Sequence, residues 1–108
     1  MLYRNYRAPS GGEVDVVCRH GKTLAFVEVK TRTSTAWGRP AQAVTLDKQA
    51  LIVRGANSWL QLLGFPEIAW RFDVVEVLLI PGDKPRVNWI QAAFNTPELD
   101  AALARRRR

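Results

Sequence analysis

Two runs of β-branched residues with only four residues between them constrain this chain more than any other feature. Residues 13–19 (E-V-D-V-V-C-R) and 24–30 (L-A-F-V-E-V-K) both read as strands. Between them stands His20-Gly21-Lys22-Thr23, with Gly21 free to take a positive φ at the tip of a tight hairpin. If Gly21 and Lys22 form the tip, His20 faces Thr23. Carried along the strands, that pairing sets Asp15 opposite Glu28 and Glu13 opposite Lys30. Side chains alternate across a strand, so these four project from one side of the sheet. The other side carries Val14, Val16, Cys18, Ala25, Val27 and Val29, is wholly apolar, and is expected to be core.

The remaining elements follow from turn signals and periodicity. Residues 3–7 form a short strand ended by Ala8-Pro9-Ser10-Gly11-Gly12, and residues 31–40 form a loop. Thr45 can cap a helix running to about Leu63, with Asp47 in its first turn and Gly64 just past its end. Ile52, Ala56, Trp59, Leu60 and Leu63 fall on one face as its packing stripe. Residues 71–80 read as a further strand, Pro81 to Pro85 as a turn and residues 86–94 as the last strand. A strand, a helix and another strand imply a crossover, which makes the strand at 71–80 parallel to that at 24–30. Pro97 onward is expected to be a short helix and a basic tail. The chain is thus read as an α/β domain over residues 1–96, a mixed sheet flanked by helices, and a polar basic tail over 97–108.

With 108 residues there is room for one domain, since halves of that size would lack cores of their own. The net charge is +6, but Arg105, Arg106, Arg107 and Arg108 supply four of those charges, so the body is only mildly basic. Such a tail suits nucleic acid or another anionic surface, and equally a solvated end. Cys18 is the single cysteine, which excludes an intrachain disulfide and a cysteine-based zinc site. The N-terminus lacks a signal-like apolar core, and no apolar run approaches the roughly 20 residues of a membrane span. A cytoplasmic protein without a membrane partner is expected.

The charged face of the hairpin is the informative one. Val17 and Phe26 share it, which implies partial burial. Asp15 opposite Glu28 is a like-charge pair, unfavourable by roughly 0.2–1 kcal/mol. A divalent cation between the carboxylates reverses that sign. Magnesium suits such a site because it binds through one or two carboxylates and leaves places for water and phosphate oxygens. Lys30, on the same face two residues beyond Glu28, could orient or deprotonate an attacking water, or stabilise charge on a phosphate.

The spacing from Asp15 to Glu28-Val29-Lys30 resembles the PD-(D/E)XK nuclease motif. The wider string G-G-E-V-D-V-V, F-V-E-V-K-T-R, W-G-R-P-A-Q-A-V-T-L-D-K-Q and R-F-D-V-V-E-V resembles the YraN-like family of bacterial proteins, similar in fold to archaeal Holliday-junction resolvases. The resemblance covers roughly residues 3–94. It implies a restriction-endonuclease-like fold and a Mg²⁺- or Mn²⁺-dependent endonuclease acting on DNA, branched DNA included. Asp15 and Glu28 would be the metal ligands and Lys30 the catalytic lysine. Glu13 would be an auxiliary acid or the ion-pair partner of Lys30, and Gln49 a supporting polar residue. Lys48, Arg32 and Arg39 are expected nucleic-acid contacts, with Trp37 a candidate stacking residue, and a homodimer is a further expected association. The resolvases take one more acid from a helix ahead of the first strand; here the chain starts almost on that strand, so either the start is truncated or the site lacks that acid.

Outside the site, Trp59, Trp70 and Trp89 read as packing residues, His20 as an exposed tip residue, and Asp73 as an ion-pair partner of Arg71. Two rivals to a nuclease stay open: a nucleic-acid-binding module that does not cleave, and a protein-interaction domain with an inert acidic face.

Overall fold

Tyr3–Arg7 (β1), Glu13–His20 (β2) and Thr23–Arg32 (β3) form an antiparallel meander, with Gly21 at φ +63 in the β2–β3 turn. In the computed structural model, which describes residues 1–33 and 44–107, the chain then forms helix α1 (Leu46–Leu62), strands β4 (Ala69–Leu78) and β5 (Arg86–Phe94), and helix α2 (Thr96–Arg106). The sheet order is β1-β2-β3-β4-β5. β4 runs parallel to β3, as the crossover requires, and β5 closes the sheet antiparallel to β4. The chain is therefore an α/β fold with a mixed five-stranded sheet and two helices among the described residues, an architecture compatible with a restriction-endonuclease-like domain.

Both ends of α1 are set by local chemistry. The Thr45 hydroxyl accepts from the Lys48 N–H at 3.1 Å and satisfies one of the first-turn donors. At the other end Gly64 takes φ +74, its N–H reaches the Gln61 carbonyl, and the Phe65 N–H returns to the Leu60 carbonyl at 2.8 Å. Ile52, Ala56 and Leu60 are buried as the stripe predicts, with Trp59 partly buried beside them, whereas Leu63 is exposed.

The face that receives this stripe is not the one expected. α1 packs against Val17, Leu24, Phe26, Phe72 and Val74, the same side that carries Glu28. On the side expected to be core, Ala25 and Val27 are buried, Val16 and Cys18 only half-buried, and Val29 exposed. The charges mislead because they gather at one end of the face, where the helix begins, while its apolar half lies under the body of the helix. Val14 departs from the alternation for a separate reason. Asn5 takes φ +56 in β1, so Tyr3 and Tyr6 both turn to Trp59 of α1, and their partners Val17 and Val14 both join the core.

One contact fixes the distance between helix and sheet. A Cβ on Gly12 would stand 2.3 Å from the Gly55 nitrogen, and a Cβ on Gly55 would stand 2.8 Å from the Glu13 nitrogen. The backbones touch because neither residue has a side chain. The start of β2 is thereby pinned beside α1. The polar tail expected after residue 96 is helical as far as Arg106; Asn95 caps it, Leu99 is buried, and α2 lies against α1. Among the described residues no helix is long and apolar enough to cross a membrane.

Candidate functional site

The hairpin register is the one the two-residue tip implies, from His20↔Thr23 down to Val16↔Val27. There the paired ladder ends. The Val29 N–H is met at 2.9 Å by the Asp15 carboxylate instead of a backbone carbonyl of β2. Asp15 is therefore anchored at the opening between the two strands. Glu28, one residue earlier on β3, is 4% exposed and turned towards α1. The two carboxyl groups are close enough for each to act on the other's titration.

Two carboxylates in contact at the edge of a core resist being ionised together, and one of them is pushed up. Burial, the hydrogen bond to Asp15 and the Asp15 charge push Glu28 up to about 8, although Lys48 and Lys30 pull the other way. Burial also pushes Asp15 upward, but the hydrogen bond from Glu28, the Val29 N–H and the charges of Lys48 and Lys30 outweigh it, and Asp15 lies below its ordinary value. The proton of the pair is therefore favoured on Glu28, the more buried group. Its Oε2 atom is buried and makes no hydrogen bond among the described residues.

Lys48 in the first turn of α1 completes the cluster. Its ammonium hydrogen-bonds Glu13 Oε1 and lies 3.7 Å from Glu28 Oε2. Burial alone would lower Lys48, but the bond to Glu13 and the charges of Glu28, Glu13 and Asp15 raise it above its ordinary value. Glu13 also accepts from Arg7 at 2.8 Å, and its carboxyl lies below its ordinary value chiefly through Lys48.

The expected residues thus divide. Asp15 and Glu28 are brought together, and Lys30, half-buried on β3, is near enough for its charge to act on both. Glu13 belongs to the cluster, but its cations are Lys48 and Arg7 rather than Lys30. Lys48, expected as a nucleic-acid contact, is engaged with the acids. Gln49 is turned away, donating to the Val44 carbonyl at 3.0 Å. Arg32 lies at the end of β3 with its Nε 3.4 Å from Glu76 Oε2. Arg39 and Trp37 lie outside the described residues.

Sequence reasoning missed Glu76. It is fully buried on β4 beside Lys30, and neither of its oxygens has a hydrogen bond. Alternation in R-F-D-V-V-E-V could have found it, because Phe72, Val74 and Glu76 share a face. Asp73, on the opposite face, has the ion-pair role expected of it. It accepts from Arg71 Nε at 2.9 and 3.1 Å, from Trp89 Nε1 at 2.9 Å and from the Ala92 N–H at 3.0 Å. Arg71 in turn reaches His20 Nδ1 at 2.9 Å, so the tip histidine is drawn into this network.

Residues 1–77 match the model of the uncharacterised protein family UPF0102, and the chain belongs to that family, the YraN-like proteins widespread in bacteria. It is 47% identical over 94 residues to a UPF0102 protein of Geobacter sulfurreducens, covering 87% of this chain and 73% of the relative. A UPF0102 protein of Nocardia farcinica is 45% identical over 94 residues, with coverages of 87% and 73%. One from Caldicellulosiruptor saccharolyticus is 40% identical over 95 residues, with coverages of 87% and 80%.

Among the described residues, no three His, Cys, Asp or Glu side chains converge into a metal-binding group. Two carboxylates do fit a hard divalent cation, because magnesium needs only one or two and fills its other positions with water and phosphate oxygens. The buried Glu28 Oε2 without a hydrogen-bond partner is the atom such a cation would satisfy.

Proposed function

We propose that this protein is a divalent-metal-dependent phosphodiesterase of the PD-(D/E)XK kind that acts on DNA. What carries the reading is the Asp15–Glu28 pair: two neighbouring carboxyls at the open end of a hairpin, one of them buried with an unsatisfied oxygen. Asp15 and Glu28 would hold Mg²⁺ or Mn²⁺, which when bound supplies a water of lowered pKa and neutralises charge on a phosphate. Lys30 stands two residues beyond Glu28 on the same face, where its ammonium can stabilise charge developing on a phosphate oxygen. Arg32 follows on the same strand, its Nε 3.4 Å from Glu76 Oε2, where a guanidinium can meet a phosphate of the backbone. The likeness to archaeal Holliday-junction resolvases extends the reading to branched DNA as an analogy of fold.

The test is incubation of the protein with linear, flapped and four-way DNAs in Mg²⁺ or Mn²⁺, with Lys30→Met as the control. Metal-dependent cleavage lost in Lys30→Met, with metal binding kept, supports the proposal. Metal-independent DNA binding without cleavage of any substrate would replace it with a binding module.

A further inference from the structure

The acid cluster already contains a cation, and its location is unusual. Lys48 is in the first turn of α1, where the positive end of the helix dipole and the unpaired N–H groups disfavour an ammonium by roughly 0.3–1 kcal/mol. Lysine at such a place ordinarily extends into solvent. Here the side chain is only 28% exposed and its Nζ is held by Glu13, with Glu28 at 3.7 Å. The carboxylates outweigh the helix terminus. The ammonium thus already stands 3.7 Å from the same oxygen, Glu28 Oε2, that the two-carboxylate site offers to a metal ion.

We propose that Lys48 is the built-in competitor of the divalent cation: the cation displaces its ammonium from Glu28, and Glu13 retains it. This rests on the metal-site reading above and adds how that site is kept closed. Glu13 is suited to the retaining role. It sits outside the Asp15–Glu28 pair, is fixed by the Gly12–Gly55 backbone contact, and already holds the ammonium more closely than Glu28 does. A dication at Asp15 and Glu28 would repel Lys48, and Glu13 is already placed to hold it. Among the described residues the other charged or titratable groups near the cluster are Lys30, Arg7, and Glu76 beside Lys30 with Arg32 against it, and Arg7 is held by Glu13 at 2.8 Å.

The experiment is calorimetric titration of Mg²⁺ and of Ca²⁺ into the full chain at pH 9, with Lys48→Met, Lys48→Arg and Glu13→Gln compared with the unmodified protein. Lys48→Met removes a like charge next to the site and should tighten binding by about tenfold. Lys48→Arg keeps the charge and should stay near the unmodified protein. Glu13→Gln removes the retaining group and should weaken binding. Because the Lys48 stem is partly exposed on a helix, Met keeps its packing, and a matching thermal melt establishes that the variant is folded. Equal or weaker binding in Lys48→Met, or Lys48→Arg binding as tightly as Lys48→Met, overturns the proposal while leaving the metal site standing. Absence of binding in all four proteins overturns the metal site itself, and the proposal with it.

Discussion

Glu28 and Asp73 are both buried carboxylates on adjacent strands of one sheet, and they are treated in opposite ways. Asp73 is provided for completely: a guanidinium, an indole N–H and a backbone N–H meet its two oxygens. The backbone is even reshaped for it, since β5 slips in register beside Asp73 and Ala92 takes φ +51 where it donates. Glu28 receives less. It faces another carboxyl, its nearest cation prefers Glu13, and one oxygen has no hydrogen bond. A buried charge costs several kcal/mol unless it is paired and hydrogen-bonded. A carboxylate whose needs are met inside the fold serves the fold; in the proposed function, the shortfall at Glu28 is what a cation would meet.

The widest separation between the two should come from truncation. Asp73→Ala strands Arg71 and two N–H donors, and stability measured by urea unfolding should fall by about 3–5 kcal/mol. A loss below about 1 kcal/mol would mean that the network contributes little and that the contrast is one of appearance.

The next effect is in the pH dependence of the metal-free protein. The folded state holds the Glu28 proton up to about pH 8, whereas the unfolded chain releases it near the ordinary value of 4.5. Between those limits the folded state binds more protons, so stability falls as pH rises, by up to about 1.4 kcal/mol per pH unit. The stabilisation is fully present below pH 4.5 and gone above about pH 8. Urea midpoints taken across this window should show the fall in the unmodified protein and lose it in Glu28→Gln. An identical slope in both would remove Glu28 as the proton holder.

At pH 9 Glu28→Gln should itself be neutral or stabilising by up to roughly 1 kcal/mol, because it removes one of two like charges. The same substitution should abolish the rise in melting temperature that millimolar Mn²⁺ at neutral pH gives the unmodified protein. A metal-induced rise that survives in Glu28→Gln would put the cation elsewhere.

The smallest effect concerns a carboxylate outside the comparison. Asp47 pairs with Arg106 at 2.8 Å, yet both are exposed. Removing residues 105–108 should change stability by less than about 1 kcal/mol. If those arginines neutralise phosphates, the salt dependence of DNA binding should flatten by about 0.9 in slope for each arginine–phosphate pair removed.

How far this could be read in the sequence depended on whether the signal was local. The hairpin register, the Thr45 cap, Gly64 at the helix end and the parallel fourth strand all follow from residues a few positions apart, and each is found. The Arg71–Asp73 pair is two residues apart on one strand and was legible for the same reason. The face buried by α1 was not, because it depends on where a helix lands rather than on how a strand alternates. The role of Lys48 was hidden similarly: its partners Glu13 and Glu28 are 35 and 20 positions away, and only the Gly12–Gly55 approach brings helix and strand close enough. Glu76 lay in a pattern that could be read, but beside the more conspicuous Asp73.

The tight β2–β3 turn has a consequence for the time course of folding. A hairpin closed over two residues forms in about 1–10 μs. The parallel β3–β4 pairing must wait until the long chain between Arg32 and Ala69 has been arranged. Asp15 and Glu28 therefore meet while Lys48 is still far from them, and at neutral pH the young hairpin has only its own Lys30 to offset their repulsion. The acid pair acts as a brake on an early step, and Glu28→Gln should fold faster with little change in its unfolding rate, which the two arms of a stopped-flow chevron would resolve.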